Sequence, residues 1–346
     1  MNRFVCPAPI AIKDTVLLGH GSGGKLSAEL LRDIFLPAFS NPLLARLEDQ
    51  ATVAVGGARL AFTTDSFVVK PRFFRGGDIG SLAVHGTVND LAMGGAQPLA
   101  LSAAFILEEG FAIDELRRIV QSMAAAAARA RVCIATGDTK VVERGSGDGV
   151  YINTAGIGLV PDGVNLSAAN ARPGDAVILS GAIGDHGMAI LTQRAGLELE
   201  GAIESDSAPL NGLVAVILEV TRDVHAMRDP TRGGLASTLN EIAAQSRVGI
   251  AVREAAIPVH DGVRGACEVL GLDPLFVANE GKMVAIVPAE SAAEVVAAMR
   301  RHPLGRESAI IGTVTDRDPG LVTLRTTFGT TRVVDMLAGD PMPRIC

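Results

Sequence analysis

The sequence predicts an α+β fold in two domains, on three observations. The chain has 346 residues, about two domains at roughly 150 residues each. Segments with strand and helix periodicity are mixed along it, without the strict alternation of a doubly wound parallel sheet. One stretch, residues 161–174 (PDGVNLSAANARPG), concentrates turn formers and holds few large apolar side chains, which marks a boundary. The expected division is an arm at 1–14, a first domain at 15–160, a linker at 161–174, a second domain at 175–338 and a tail at 339–346.

Taken in order, Thr15–Leu18 reads as a short strand entering the Gly-rich loop Gly19–Lys25. Leu26–Phe39 reads as a helix, with Leu30, Leu31, Ile34 and Phe35 at helical spacing. Ala51–Val55 and Arg59–Thr64 read as strands joined by Gly56-Gly57, a hairpin signal. Gly76-Gly77-Asp78 opens a helical segment, Ile79–Met93, and Gly94-Gly95 closes it. Leu99–Ile106 reads as a strand. Ile113–Arg131 is the clearest helix, with Ile113, Leu116, Val120, Met123 and Ala127 expected on one buried face. Val132–Thr136 and Gly149–Leu159 read as strands. In the second half, Ala176–Ser180, Gly249–Arg253, Lys282–Val287 and Ile310–Val314 read as strands. His186–Ala195, Leu235–Gln245, Val263–Leu270 and Ser291–Arg301 read as helices. The last eight residues hold two prolines and little to pack, so they read as an extended, mobile tail.

Composition excludes several function classes. Thirty-one basic against 38 acidic side chains leave a net charge of −7, and no basic stripe stands out, which argues against nucleic acid. Trp is absent and Tyr occurs once, so base-stacking platforms are not expected. No run of about 18 apolar residues suggests a membrane span, and the N-terminus lacks a signal-peptide pattern. Cys6, Cys133, Cys267 and Cys346 show no CxxC spacing and form no disulfide framework, so a cytoplasmic protein is expected. Cys133 and Cys267 read as core; Cys346 stands apart as the last residue.

The chemistry is expected where glycines cluster. Gly19, Gly21 and Gly24 match the letters of a dinucleotide fingerprint, but the acidic partner about 20 residues on is ambiguous. Gly19 to Gly24-Lys25 matches most of a P-loop, yet Leu26 stands where a hydroxyl is needed for Mg²⁺. The physics common to both remains: glycine backbone N–H groups freed to face an anion, with Lys25 adding charge at a helix start. A phosphate clamp over His20, Gly21, Gly23, Gly24 and Lys25 is one reading; a merely flexible loop is the other.

Aspartates recur at strand ends and turns: Asp49, Asp65, Asp90 after Asn89, and Asp138 in Gly-Asp-Thr139-Lys140. One such residue is ordinarily a turn former or cap. Four together suggest a carboxylate set for Mg²⁺, a hard cation that takes oxygen ligands and shares phosphates. Asp229, Thr231 and Arg232 precede Gly233-Gly234 at a predicted helix start, an anion site or an ordinary cap. Asn279-Glu280-Gly281-Lys282 places a carboxylate in a turn between apolar runs; a hairpin would explain Gly281 but not Glu280.

Together, Gly19–Lys25, Phe73–Met93, Gly137–Lys140, Asp229–Gly234, Asn279–Lys282 and the terminal Pro343-Arg-Ile-Cys346 resemble a superfamily of ATP-using enzymes. It includes aminoimidazole ribonucleotide synthetase, selenophosphate synthetase and thiamine monophosphate kinase. Within it the segments are most similar to the HypE family of [NiFe]-hydrogenase maturation factors. The resemblance implies an aminoimidazole-ribonucleotide-synthetase-like fold whose first domain dimerises through a β-barrel. It implies ATP-dependent dehydration of an S-carboxamide on Cys346 to a thiocyanate that supplies cyanide to the hydrogenase iron. It further implies a homodimer, a carbamoyltransferase partner (HypF) and a HypC–HypD scaffold that receives the cyano group. Asp49, Asp65, Asp90, Asp138 and Asp229 are then expected to hold Mg²⁺. ATP is expected against the Gly-rich loop residues, Asp65, Asn89, Asp90, Asp138, Thr139, Asp229, Thr231 and Arg232. Lys140 and Glu280 become the candidates that deprotonate or polarise the carboxamide. Two other readings stay open: a selenophosphate-synthetase-like phosphoryl-transfer enzyme, and a non-catalytic ATP-binding scaffold.

Overall fold

The chain folds around two sheets, one from each half. The computed structural model describes residues 15–197, 201–337, 339 and 342–346; the expected arm, with Cys6, lies outside the described residues. The first sheet is built from β1 (Ala51–Val55) and β2 (Ala58–Phe67), then, past the two-residue strands β3 (Phe73–Phe74) and β4 (Gly77–Asp78), from β5 (Gln97–Glu108), β6 (Cys133–Val142) and β7 (Val150–Val160). Its order is β1-β2-β7-β5-β6, with β5 and β6 parallel and the other pairs antiparallel. The second sheet takes β8 (Ala176–Leu179), β9 (Ala226–Arg228), β10 (Gly249–Arg253), β11 (Val284–Val287), β12 (Ala309–Thr315), β13 (Val322–Arg325) and β14 (Thr331–Val334). Its order is β14-β13-β10-β12-β8-β11-β9.

The helices are α1 (Lys25–Leu30), α2 (Leu36–Ala38), α3 (Ile79–Met93), α4 (Ile113–Ala130), α5 (Asp185–Ala195), α6 (Asn211–Val220), α7 (Gly234–Ser246), α8 (Asp261–Leu270) and α9 (Ala289–Arg301). Covered faces explain the sequence patterns. Strand β8 is apolar at every position because both faces are packed. Val177 and Leu179 meet Leu235, Leu239 and Ile242 of α7 in one cluster. Ile178 joins Leu213, Ile217, Val295 and Met299 of α6 and α9 in another. Strand β7 instead alternates: Ile152 and Thr154 are buried, while Ile157 and Leu159 point out. One face of the first sheet therefore packs on α3 and α4, and the other is left open, carrying Val53, Val55, Phe62, Ile106 and Ile157.

Helix α3 is the centre of the molecule. Asp78 caps it by accepting from Gly80 N at 2.8 Å and Ser81 N at 3.0 Å, and every residue from Ile79 to Asn89 is buried. Its expected span is matched; other expectations are corrected. Helix α4 turns the expected face inward only in part: Met123 and Ala127 are buried as expected and are joined by Ile119, Ala126 and Ala130, while Ile113 and Val120 are exposed. The alanines let α4 approach α3 closely. The helix expected over Leu26–Phe39 breaks into a wide turn at Leu31–Phe35 before Pro37, consistent with the missing proline N–H. Leu18–Gly21 is a single 3₁₀ turn rather than the end of a strand. Strand β6 runs on to Val142, so Asp138 sits in a strand and not in a turn, and Cys133 is exposed because β6 is an edge. Cys267 is buried as expected.

Candidate functional site

A cavity of about 260 Å³ lies where the two halves meet. Each wall is supplied by the end of a regular element. Asp65 comes from the end of β2, Asp90 from the last turn of α3, and Asp49 from the loop before β1. Asp229 follows β9 directly; Thr231 and Arg232 follow it at the threshold of α7. Glu280 comes from the turn before β11, and Cys346 from the tail. The elements that carry these residues are ordered by core packing, so the carboxylates are delivered to one place from segments far apart in sequence.

The electrostatics are dominated by crowding of negative charge. Burial, then the neighbouring Asp229, Asp65 and Asp49, pushes the Asp90 carboxyl well above its ordinary range. Burial and Asp49 push Asp229 up to about 8. Asp49 rises to about 6 through burial, against the pull of Arg228, whose guanidinium lies 2.8 Å away. Arg228 also reaches Glu241 at 3.1 Å and is fully committed to holding this wall. Thr63 Oγ stands 2.9 Å from both Asp90 Oδ2 and the Asp49 carbonyl. Glu280 is raised well above its ordinary value by burial and by Asp229 and Asp65, and its Oε1 is buried without a hydrogen bond. The attraction of Cys346, then of Asp65 and Glu280, raises Arg232 against the effect of burial.

The backbone beneath Glu280 is pinned from several sides. Glu280 N donates to Asp206 Oδ1 at 3.0 Å. Asn279 accepts from Gly184 N at 2.7 Å and donates to the Pro230 carbonyl at 2.9 Å. A Cβ at Gly281 would lie 1.8 Å from the Asp206 carbonyl oxygen, so only glycine fits. That close approach, not a hairpin, accounts for Gly281; the preceding apolar run is a 3₁₀ turn, Pro274–Phe276. Asp206, with Lys282 Nζ 3.2 Å from it, is a site-building residue the sequence reading missed. Its one signal was an acidic residue amid serines in a loop.

The tail is docked rather than extended. Met342 and Ile345 are buried in an apolar cluster to which both halves contribute, and Cys346 lies against the cavity. Gly23 lines the same cavity from the Gly-rich loop. Its φ is +73°, and a Cβ there would meet Arg232 at 2.8 Å. Gly21 accepts from Arg232 at 3.1 Å, and Gly24 packs on the Leu337 carbonyl.

Other predicted residues stand elsewhere. Lys25 pairs with Asp335 at 2.6 Å on the surface, and His20 Nδ1 accepts from Leu17 N at 2.9 Å inside its own turn. Asn89 is buried and spends its amide on the backbone of the second half: Leu210 N at 2.7 Å, Ala208 O at 3.1 Å and Glu280 O at 3.3 Å. It is a pin between halves, not a cavity wall. Asp138, Thr139 and Lys140 project from the exposed edge strand, where Lys140 Nζ lies 2.7 Å from Asp138 Oδ2. They do not line the cavity of their own chain, because the outer side of β6 is open.

Among the described residues, no three His, Cys, Asp or Glu side chains gather closely enough to cage a metal ion. Of the five expected aspartates, Asp49, Asp65, Asp90 and Asp229 line the cavity, Asp49 paired with Arg228, and Asp138 stands outside it. The remaining group still fits a Mg²⁺ carried in on phosphates. Its carboxylates repel one another, and Mg²⁺ keeps waters and uses only one or two protein carboxylates. On the facing wall, the first turn of α7 opens at Gly233 in the left-handed region without a side-chain cap, and Ser237 Oγ is buried without a partner. Such a helix start suits an anion.

The family model "AIR synthase related protein, N-terminal domain" matches residues 47–160, and its C-terminal counterpart matches 172–324. The chain is 57% identical to the carbamoyl dehydratase HypE of Cupriavidus necator over 98% of this chain and 97% of that protein. Its structure is similar to that of a HypE–HypF complex, with a TM-score of 0.85, 49% identity, and coverage of 89% of this chain and 99% of the other. It is also similar to hydrogenase maturation protein HypE in complex with ATP, with a TM-score of 0.81, 51% identity, and coverage of 96% and 100%. The expected fold class is therefore borne out, and the chain belongs to the HypE family of carbamoyl dehydratases, enzymes of hydrogenase maturation built on the AIR synthase related fold.

Proposed function

We propose that the chain dehydrates a carboxamide carried on its own Cys346 sulfur, using ATP, to give a thiocyanate for hydrogenase iron. The observation that carries this reading is the position of Cys346, at the wall of a cavity that also holds Glu280 and Arg232. A nucleotide phosphate chain fits the first turn of α7 and the Gly23 segment. Asp65, Asp90 and Asp229 would hold Mg²⁺, which neutralises the phosphates. Phosphorylation of the carboxamide oxygen turns a poor oxide leaving group into phosphate. One N–H proton is lost as the C–O–P link forms, and the second is lost as phosphate departs and the C≡N bond completes. Arg232 lies where it can steady the charge on that oxygen. Glu280 has the proton affinity to take an amide proton once Arg232 and a bound cation offset the surrounding carboxylates.

The experiment is direct. The chain is charged with carbamoyl phosphate and the HypF carbamoyltransferase, and the C-terminal peptide is weighed before and after ATP. Loss of one water from that peptide, dependent on ATP, is the expected result. Phosphate release without any mass change on the peptide would sink the reading and favour a small-molecule phosphoryl-transfer enzyme. Bound nucleotide with no turnover would favour a scaffold. The cyano group is expected to pass to a HypC–HypD complex.

A homodimer belongs to the same proposal. The open face of the first sheet is apolar over Val53, Val55, Phe62, Ile106 and Ile157, an area that a second copy would cover. Asp138 and Lys140 sit on the open edge strand β6, so any part they take in the chemistry is taken from a partner copy. Phe62→Glu with Ile157→Glu is expected to halve the mass seen by sedimentation. An unchanged sedimentation mass for that variant would count against this interface.

A further inference from the structure

Beyond the reaction, the tail is held by groups that no step of the chemistry uses. Two lie on α5. His186, wholly buried at its first turn, has Nε2 at 2.8 Å from the Ile345 carbonyl. A carbonyl only accepts, so Nε2 carries the proton, and Nδ1 accepts from Ser205 Oγ at 2.8 Å. About two turns later, Arg194 donates to the carbonyls of Pro343, at 2.6 Å, and of Arg344 and Lys70. The third group comes from the loop before β7: Asp148 pairs with the Arg344 guanidinium, with Lys70 Nζ at 3.5 Å. The Arg344 Nε donates to the Val68 carbonyl at 2.8 Å. Between these side chains residues 344–346 lie beside 68–70, with Arg344 in the left-handed region at φ +54°. Lys70 N donates to Arg344 O at 3.3 Å, and Val68 N to Cys346 O at 3.1 Å. These two backbone bonds fix where the tail end lies on that segment, with Cys346 against the cavity.

We infer that Asp148, Arg194 and His186 are positioning residues that latch the tail in its inward seat and so set how long the Cys346 sulfur stays at the cavity. This rests on the proposed reaction only for its purpose; the latch itself is a matter of tail exposure. The contacts are mostly side chain to main chain, so they read the path of the tail and not the group on the sulfur. The Asp148–Arg344 pair is about 30% exposed on each side, and a half-exposed pair is easily opened. Release also withdraws Met342 and Ile345 from the apolar cluster in which they are buried, so the polar latch adds to a hydrophobic seat.

The test is alkylation of the full chain with iodoacetamide, without nucleotide, read as the rate of labelling in the C-terminal peptide, with Cys133 as internal reference. Asp148→Asn and Arg194→Lys are expected to raise the Cys346 rate roughly 3- to 10-fold, in keeping with the loss of a partly exposed charged contact. Asp148→Glu is expected to keep the parent rate. Asp148→Asn combined with Arg344→Gln is expected to label no faster than Arg344→Gln alone, because loss of the guanidinium already removes the Asp148 contact. Equal Cys346 rates in all variants, or parallel increases at Cys346 and Cys133, would overturn the latch. A second arm measures ATP-dependent loss of water from the carbamoylated peptide, expected to slow in Asp148→Asn and to recover in Asp148→Glu. If the parent loses no water while labelling rises as described, the latch stands and the proposed reaction falls. If the parent loses water and labelling is uniform, the reverse holds.

Discussion

Replacing Cys346 by alanine is expected to leave a chain that binds ATP and accepts no carbamoyl group. Nucleotide affinity should stay within about threefold of the parent, since the proposed phosphate contacts come from α7 and the Gly23 segment and not from the tail. Thiocyanate formation should fall to background, because the sulfur is the atom that carries the carbon throughout. Equilibrium dialysis with ATP and the mass of the C-terminal peptide measure the two properties separately. A carbamoyl label found on Cys133 or elsewhere in the parent chain would remove Cys346 from its role. The thiol is suited to that role by its place: Cys346 lines the cavity and follows directly on the buried Ile345, which holds it there.

The second large effect is expected from Glu280→Gln. The change conserves shape and leaves the backbone pins at Asn279 and Asp206 untouched. It removes the group best placed to accept an amide proton. Loss of a general base costs roughly 10²- to 10⁴-fold in turnover, so the peptide should accumulate as carboxamide while the charging step proceeds at the parent rate. Folding stability should hold or rise, since a neutral amide relieves the crowding with Asp229 and Asp65 that raises the Glu280 carboxyl. Turnover within threefold of the parent would assign proton removal to another group. The outcome also separates Glu280 from Lys140, which lies on an exposed strand away from its own chain's cavity.

Much of this was legible locally. Strand β10, the β1–β2 hairpin and the span of α3 follow from periodicity and from glycine and aspartate punctuation. The boundary glycines and the Asp229–Arg232 segment announced a helix start, which α7 supplies. Legibility failed where two packings were compatible with one pattern. The α4 stripe with Ile119, Ala126 and Ala130 and the stripe with Ile113 and Val120 both have helical spacing; only the closeness of α3 selects between them. Asn89 and Asp90 are adjacent in sequence and opposite in use: one faces the backbone of the second half, the other the cavity. Nothing in their order distinguishes them.

By itself, the sequence determined the fold class, the family and the inventory of chemistry: a Gly-rich loop, aspartates beside apolar segments, and a cysteine as its last residue. Those are properties of residue type and spacing, and a short window contains them. The tertiary structure decided which of the aspartates share a cavity, that Asp138 and Lys140 do not join them within one chain, and that the tail is seated by Asp148, Arg194 and His186. These depend on contacts between segments hundreds of residues apart, such as Arg344 with Val68. Such contacts exist only after the two sheets have packed, so burial and charge crowding are set there and not in any local pattern.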